Sequence, residues 1–573
     1  YKAGSLVVNM YQAKRNYANC VLNLGYDASA SGFPSLYSES VASFPSMRGF
    51  DCIAIDTIGA FDGALKELTE VTASGQVTGS GSIVILSNNG DETVRAVNAL
   101  LDAGKAVGMI TEGDYKGDFV VSASSYNMVS SDYALVATRT NEMPVAHQIS
   151  KPTLFLTGRY ADFGDDKVTS GYYTEWFANG YGFINYDNIH NNGTSNYDVM
   201  AYVKQLGFTV TDDPAKADII IGSVALDSGA YGAEAVAAVK AGTPYIATGS
   251  EPLSYIQENL VTGITADSRG MEALHHVTYP SDSLITASQE ADGDDVIYTL
   301  DCTVLTAYPE NAEVLIQATD KDSFIVGCMA GGSIDGGVEA IAVEQDGMDI
   351  TIFANSIVNR AHQQDDYLFA TNTIYSKMLS EDTMDIVVST LPFDDVYGDD
   401  WFYNAVKYAY DSKLMSGTAS TTFAPLMSTN RAMVVTMLWR LEGQPEADAT
   451  LSFTDVESGV WYTDAVNWAA SKGIVKGYSD TVFAPNDTVT REQLATILYR
   501  YAESKGYDVS AKGDLTTFTD GAKTSSWAAE AMEWSVGSKL LSGKGGNVLD
   551  PTGTATRAEV AQIFTNFAQN LKK

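Results

Sequence analysis

Catalytic chemistry in this 573-residue chain would have to come from few residues: five histidines (His147, His190, His275, His276, His362) and four cysteines (Cys20, Cys52, Cys302, Cys328). A hydrolytic zinc site needs three protein ligands and an open position for water. No histidine has Glu three residues on, and His362-x-x-Asp365 is the nearest approach. His275 and His276 are adjacent, and neighbours on a strand point to opposite faces. A serine or cysteine nucleophile needs a tight strand-to-helix elbow. Gly249-Ser250-Glu251-Pro252 follows the apolar stretch 243–248, but Pro252 stands where the elbow requires glycine. The cysteines fit no metal spacing; Cys302–Cys328 is the local option for a disulfide, and free thiols are the alternative. Asp292-Gly293-Asp294-Asp295 and Asp320-Lys321-Asp322 offer oxygens to calcium, without the spaced ligands and closing glutamate of a calcium loop. The residues therefore predict no catalytic centre and no resident cofactor in this chain. Calcium is the one cation its turns admit, and zinc would require a catalytic domain upstream.

A second group of residues is defined by repetition. Phe393, Asp395 and Trp401 recur as Phe453, Asp455 and Trp461, then as Phe518, Asp520 and Trp527. Each Trp is followed at 16 residues by Gly417, Gly477 or Gly543, and at 30 by Arg431, Arg491 or Arg557. Pro425, Pro485 and Pro551 fall between them. Constant internal spacing in three copies marks a repeat architecture.

The elements that must position these residues are readable in the second copy. Trp461, Ala465, Val466, Trp468 and Ala469 fall at helical spacing, and Gly473 sits where a left-handed cap would end that helix. A turn at Gly477-Tyr478-Ser479-Asp480 leads to Phe483 and Pro485. Thr490 and Gln493 then form a predicted capping box ahead of Leu494, Ile497 and Leu498. Copy three repeats the box with Thr556 and Glu559; copy one has Asn430 as cap and Met433 in place of the second partner. The Trp and Phe positions are expected to be mostly core.

These motifs resemble the S-layer homology repeats of bacterial envelope proteins. Copy two carries Phe453-Thr454-Asp455-Val456, Trp461-Tyr462, Gly477-Tyr478-Ser479-Asp480, Phe483-Ala484-Pro485 and Thr490-Arg491-Glu492. The resemblance implies a mainly α-helical, pseudo-threefold domain that binds secondary cell-wall polysaccharide, often pyruvylated, in grooves between repeats. Carried over residue by residue, it puts Arg431, Arg491 and Arg557 against the anionic sugar, with Asp395, Trp401, Gly417, Asp455, Trp461, Gly477, Asp520, Trp527 and Gly543 lining the grooves. A guanidinium suits a carboxylate because its planar fork donates two parallel hydrogen bonds; capping within the fold is the equal alternative. Copy one (Gly417-Thr418-Ala419-Ser420) and copy three (Gly543-Lys544-Gly545-Gly546-Asn547) lose the aromatic turn. The best groove is therefore expected to be the one that uses Arg491.

The chain ahead of the repeats alternates strand and helix patterns. Ser5–Met10 and Asp51–Asp56 read as strands; Ser82–Leu86, a helix over 91–103 and Ala106–Thr111 follow. From Pro152 a second unit runs through a helix at 197–206, strands at 218–222 and 243–248, and a helix at 232–241. Residues 263–355 are strand-rich. This order predicts doubly wound, Rossmann- or flavodoxin-like α/β units over 1–150 and 151–380, with a linker at 381–392 and repeats at 393–447, 448–508 and 509–573. Gly117–Val121, the 152–260 unit, Asn359–Gln364 and Asn372–Tyr375 are similar to the region after the catalytic domain of bacterial zinc carboxypeptidases, which carries a class I glutamine-amidotransferase-like domain. That resemblance implies a non-catalytic body here. Because the sequence opens abruptly in a strand, it also raises the alternative of a processed C-terminal part of a secreted carboxypeptidase, its metal site upstream of Tyr1 and its peptidase domain a cleaved partner.

A net charge of −37 and a pI near 4.3 argue against nucleic acid and anionic membranes as partners. No apolar run is long enough to span a bilayer. The sequence thus predicts an extracellular component of a bacterial wall or S-layer, held to wall polysaccharide and open to self-association in a surface layer.

Overall fold

A computed structural model describes residues 75–157, 206–357 and 367–571, with short interruptions at 230, 271, 290–294, 301, 330 and 448–452, and a few isolated positions before 75. The strands expected at 5–10 and 51–56, the helix at 197–206, the segment 359–364, Cys20, His190 and His362 lie largely or wholly outside the described residues. The chain divides into two compact units, Tyr1–Asp385 and Ile386–Lys573.

In the first unit, one sheet is built from β1 (Gln76–Gly79), β2 (Ile83–Leu86), β3 (Gly108–Ile110), β4 (Phe119–Ser122), β5 (Val136–Thr140) and β6 (Ala146–Ile149). Helices α1 (Asp91–Asp102) and α2 (Ala123–Val129) connect its strands. The order is β1-β5-β2-β4-β3-β6, ending on a returning strand, Leu379–Thr383. Only β1 and β5 pair in parallel; the other pairs are antiparallel. This corrects the parallel sheet expected for the first α/β unit. Every residue of β2 is buried, so the in-out alternation that identifies an antiparallel strand is missing from its sequence. The return of Leu379–Thr383 also places a strand where the linker was expected to begin.

The second sheet has 12 strands among the described residues. Its parallel part comprises β7 (Thr153–Leu156), β8 (Thr209–Thr211), β9 (Ile219–Gly222), β10 (Tyr245–Thr248) and the strand Met348–Phe353. They lie in the order β8-β7-β9-β10 and then Met348–Phe353. Helices α3 (Gly232–Lys240) and α4 (Ser250–Asn259) bury Ala235, Val239, Leu253 and Ile256 in a core with Tyr245 and Ile350. Antiparallel strands between 265 and 345 extend this sheet. Helix α5 (Tyr367–Ser376) completes the unit.

Among its described residues the second unit holds six α-helices: α6 (Tyr403–Asp411), α7 (Arg431–Leu441), α8 (Thr463–Ser471), α9 (Arg491–Lys505), α10 (Ala529–Gly537) and α11 (Arg557–Asn570). Capping boxes close the N-termini of α9 and α11, and Asn430 alone caps α7. Gly473 ends α8 at φ 69°, a left-handed conformation that glycine adopts without a Cβ penalty. The second helix of each copy packs on the first helix of the next: α7 on α8, α9 on α10, and α11 back on α6. The amides of Thr429, Ala555 and Val489 donate to the carbonyls of Ala555, Val489 and Thr429 at 2.9, 3.0 and 2.9 Å, a closed cycle that links the three copies. One continuous core, including Phe423, Phe483, Trp468, Trp534 and Phe564, runs through all three copies.

Candidate functional site

Each repeated residue has a definite place, and the copies do not act alone. Asp395 accepts the amides of Phe423 and Ala424, both at 2.7 Å; Asp455 accepts those of Phe483 (2.9 Å) and Ala484 (2.6 Å). Asp520 does the same for Leu549 (2.7 Å) and Asp550 (2.9 Å). The second residue of each pair lies in the left-handed region, at φ 57° for Ala424, 59° for Ala484 and 52° for Asp550. That conformation costs a residue with a Cβ about 1–2 kcal/mol, and the carboxylate fork offsets it. The amides of Phe483 and Ala484 hold the Asp455 carboxyl below the usual range despite its partial burial, and the Leu549 amide does so for Asp520.

The glycines are required by close approach. A Cβ on Gly417, Gly477 or Gly543 would stand 2.6, 2.8 or 2.9 Å from the ring of Phe393, Phe453 or Phe518 in the same copy. The three glycines let the turn lie flat on that ring.

Each arginine reaches into the following copy. Arg431 donates Nε to the Phe483 carbonyl (2.9 Å) and Nη2 to that of Lys476 (2.8 Å). Arg491 donates to Leu549 (2.9 Å) and Ser542 (2.6 Å), and Arg557 to Phe423 (2.8 Å) and Ser416 (2.6 Å), closing the ring. All three are at most 7% exposed. Burial pushes each guanidinium below its ordinary pKa, opposed by Tyr478, Asp487 and Asp455 at Arg431, by Glu559, Asp550 and Asp520 at Arg491, and by Asp395 at Arg557. The arginines are therefore struts between copies. Among the described residues, none accepts a hydrogen bond from the Nη1 of Arg431 or of Arg557.

The motif tryptophans depart from expectation. Trp401, Trp461 and Trp527 are 64, 55 and 57% exposed, whereas Trp468 and Trp534 are buried. Each exposed indole precedes its helix by two residues, ahead of the first buried helical turn, so helical periodicity does not govern it. Trp401 and Trp461 stand edge-on to Phe402 and Tyr462, at 5.4 and 5.1 Å.

Sequence reasoning missed the offset between copies. The full-motif turn of copy two, Gly477–Asp480, serves Arg431 and not Arg491; Tyr478, 58% exposed, lies 4.9 Å from the Arg431 guanidinium. Arg491 instead meets the turn of copy three, where Leu549 replaces the Phe423 or Phe483 ring. No signal within a single copy reveals this, because the reach of each arginine depends on how the second helix of its copy packs on the next copy.

With this geometry in view, comparison with known proteins is informative. Residues 392–432, 452–495 and 517–561 each match the S-layer homology domain. The C-terminal third is a triple S-layer homology module. A surface-layer 125 kDa protein of Lysinibacillus sphaericus is 31% identical over 170 residues, 29% of this chain and 14% of that protein. An endoglucanase of Bacillus sp. (strain KSM-635) is 28% identical over 193 residues, 34% and 20% of the two chains. A cellulosome-anchoring protein of Acetivibrio thermocellus is 29% identical over 153 residues, 26% and 33%. This chain thus aligns with a third or less of each of these relatives. Of the twelve repeated residues, the three arginines bridge neighbouring copies, while the Asp and Gly positions shape the turn of their own copy.

The first unit offers less. Ser250 is the first residue of α4, with Gly249 at φ 102° before it, and among the described residues no histidine bonds to it. His275 is fully buried and its Nε2 lies 2.6 Å from Glu339 Oε1; His147 Nδ1 lies 2.9 Å from the Ser380 carbonyl oxygen. Cys302 and Cys328 are not joined in a disulfide. Among the described residues no three His, Cys, Asp or Glu side chains gather as a metal set, and no helix is long and apolar enough to cross a membrane.

Proposed function

We propose that this is an extracellular protein of a bacterial cell wall or S-layer, anchored non-covalently through residues 386–573 to secondary wall polysaccharide bearing anionic, pyruvyl-type groups. The observation that carries the reading is the triple S-layer homology module itself, closed into a ring in which three forked cations sit at three inter-repeat junctions. The surface-layer and anchoring relatives support display in the envelope. A buried arginine with one donor left over suits a carboxylate, which accepts from planar N–H groups in the low-dielectric setting where such bonds are strong. The exposed tryptophans add flat apolar surface for the sugar rings.

Ahead of the module we infer a non-catalytic body. Counted along the chain, the parallel strands of 153–353 follow the order 2-1-3-4-5, which supports a flavodoxin-like reading of that half. Nothing among the described residues favours the carboxypeptidase alternative. Co-sedimentation of the full chain with purified bacterial walls tests the function. Retention on intact walls and release after acid extraction of their secondary polysaccharide is the expected result; equal retention on extracted walls would refute it.

A further inference from the structure

The three junctions share a frame but not a chemistry. At Arg431 the guanidinium lies between two rings, 4.9 Å from Tyr478 and 4.6 Å from Phe483. Aromatic faces attract a cation and fix its plane, while Nε and Nη2 are taken by the Phe483 and Lys476 carbonyls. At Arg557 one ring remains, Phe423 at 4.4 Å, and Thr418 stands where Tyr478 would be. At Arg491 no cation–ring contact is present among the described residues, because Leu549 takes the ring position.

The Arg491 junction also contains its own anion. Glu559 Oε1 lies 3.5 Å from Arg491 Nη1 and 3.5 Å from Lys544 Nζ, while Glu559 Oε2 accepts the Thr556 amide at 2.8 Å. Lys544 is held in turn by Asp550 at 2.8 Å. The equivalent of Glu559 is the neutral Gln493 for Arg431 and the apolar Met433 for Arg557. An incoming carboxylate at Arg491 would compete with a tethered one already facing both cations, and would meet Asp550 as well.

Resting on the wall-polysaccharide reading, we propose that the junctions are unequal. The one built from Arg431 and Tyr478 takes the ligand's carboxylate, and the one at Arg491 is occupied by the chain's own Glu559. Anchoring then uses one dominant site, placed between the first two copies, and the third copy serves chiefly to close the ring.

The test is calorimetric titration of the full chain with a methyl hexopyranoside carrying a 4,6-linked pyruvate ketal, alongside co-sedimentation with intact walls. One strong site per chain is expected. Tyr478→Ala, at an exposed position that the fold does not need, weakens it at least tenfold, and Tyr478→Phe restores it. Glu559→Gln keeps its helix cap, since Gln493 does the same work in copy two, and adds a second, weaker site. Two or more equal sites in the unaltered chain, or a Tyr478→Ala affinity within twofold of it, would overturn the proposal. Absence of a second site in Glu559→Gln would overturn the assignment of Glu559 as occupant. Retention on walls without binding of the ketal would overturn the carboxylate at Arg431 while leaving wall anchoring intact; loss of both would instead refute the proposed function.

Discussion

If the arginines are struts, removing one must loosen the module in the absence of any ligand. Arg557 is the informative choice, because its two bonds to the Phe423 and Ser416 carbonyls join the last copy to the first. A hydrogen bond to a charged group contributes about 1.5–3 kcal/mol, so the pair is worth about 3–6 kcal/mol. The contact with Phe423 adds about 0.5–1 kcal/mol. In Arg557→Met the apolar side chain recovers about 1.5 kcal/mol by burial, and the expected net loss is about 3 kcal/mol. That is a large share of a stability of about 5–15 kcal/mol. For a unit of this size it corresponds to a fall in Tm of about 6–12 °C. Arg557→Lys keeps the charge but cannot fork across two carbonyls, and should fall between. Thermal unfolding followed by tryptophan fluorescence reports on the module, since six of the seven tryptophans lie in it. A loss under about 1 kcal/mol for Arg557→Met would refute the strut reasoning and leave ligand contact as the role of this residue.

Other expectations follow from the same geometry. Gly477→Ala places a Cβ 2.4 Å from the Ser479 carbonyl and 2.5 Å from that of Val482; overpacking of this kind costs about 1–3 kcal/mol, to be read in the same unfolding assay. Asp455 and Asp520 are held below the usual carboxylate range in the folded state. Their stabilisation is therefore complete above the unfolded pKa of about 4 and is lost as pH falls through the lower folded values. Tm of the module should drop below about pH 4, and the drop should shrink in Asp455→Asn; an unchanged acid profile in that variant would contradict the assignment. In the first unit, Glu339→Ala removes the hydrogen-bond partner of buried His275 Nε2, and leaving a buried polar group unsatisfied costs about 1–3 kcal/mol. Faster amide exchange across 272–278 and 338–345 is expected, and unchanged protection would rule the pair out as a support of that sheet.

How much of this was legible in the sequence depended on whether a signal was local. The capping residues Asn430, Thr490 and Thr556 were readable because a cap involves residues three apart. The repeats were readable because spacing is preserved even where residues change. What escaped was non-local. Nothing within copy two shows that Arg491 reaches the turn of copy three, since that depends on how α9 packs on α10. The motif tryptophans looked like core because aromatic residues near a helix start usually are, and only the position two residues ahead of the first helical turn puts them outside. In the first unit, the apolar run Ile83–Leu86 described burial on both faces but not strand direction, which was set by the distant partners Phe119–Ser122 and Val136–Thr140.

Competition tests the central claim most directly. The full chain is sedimented with intact bacterial walls while free secondary wall polysaccharide, released from the same walls, is titrated in. Progressive release with rising polysaccharide is the predicted result. Retention unaffected by saturating free polysaccharide would contradict anchoring through the triple S-layer homology module.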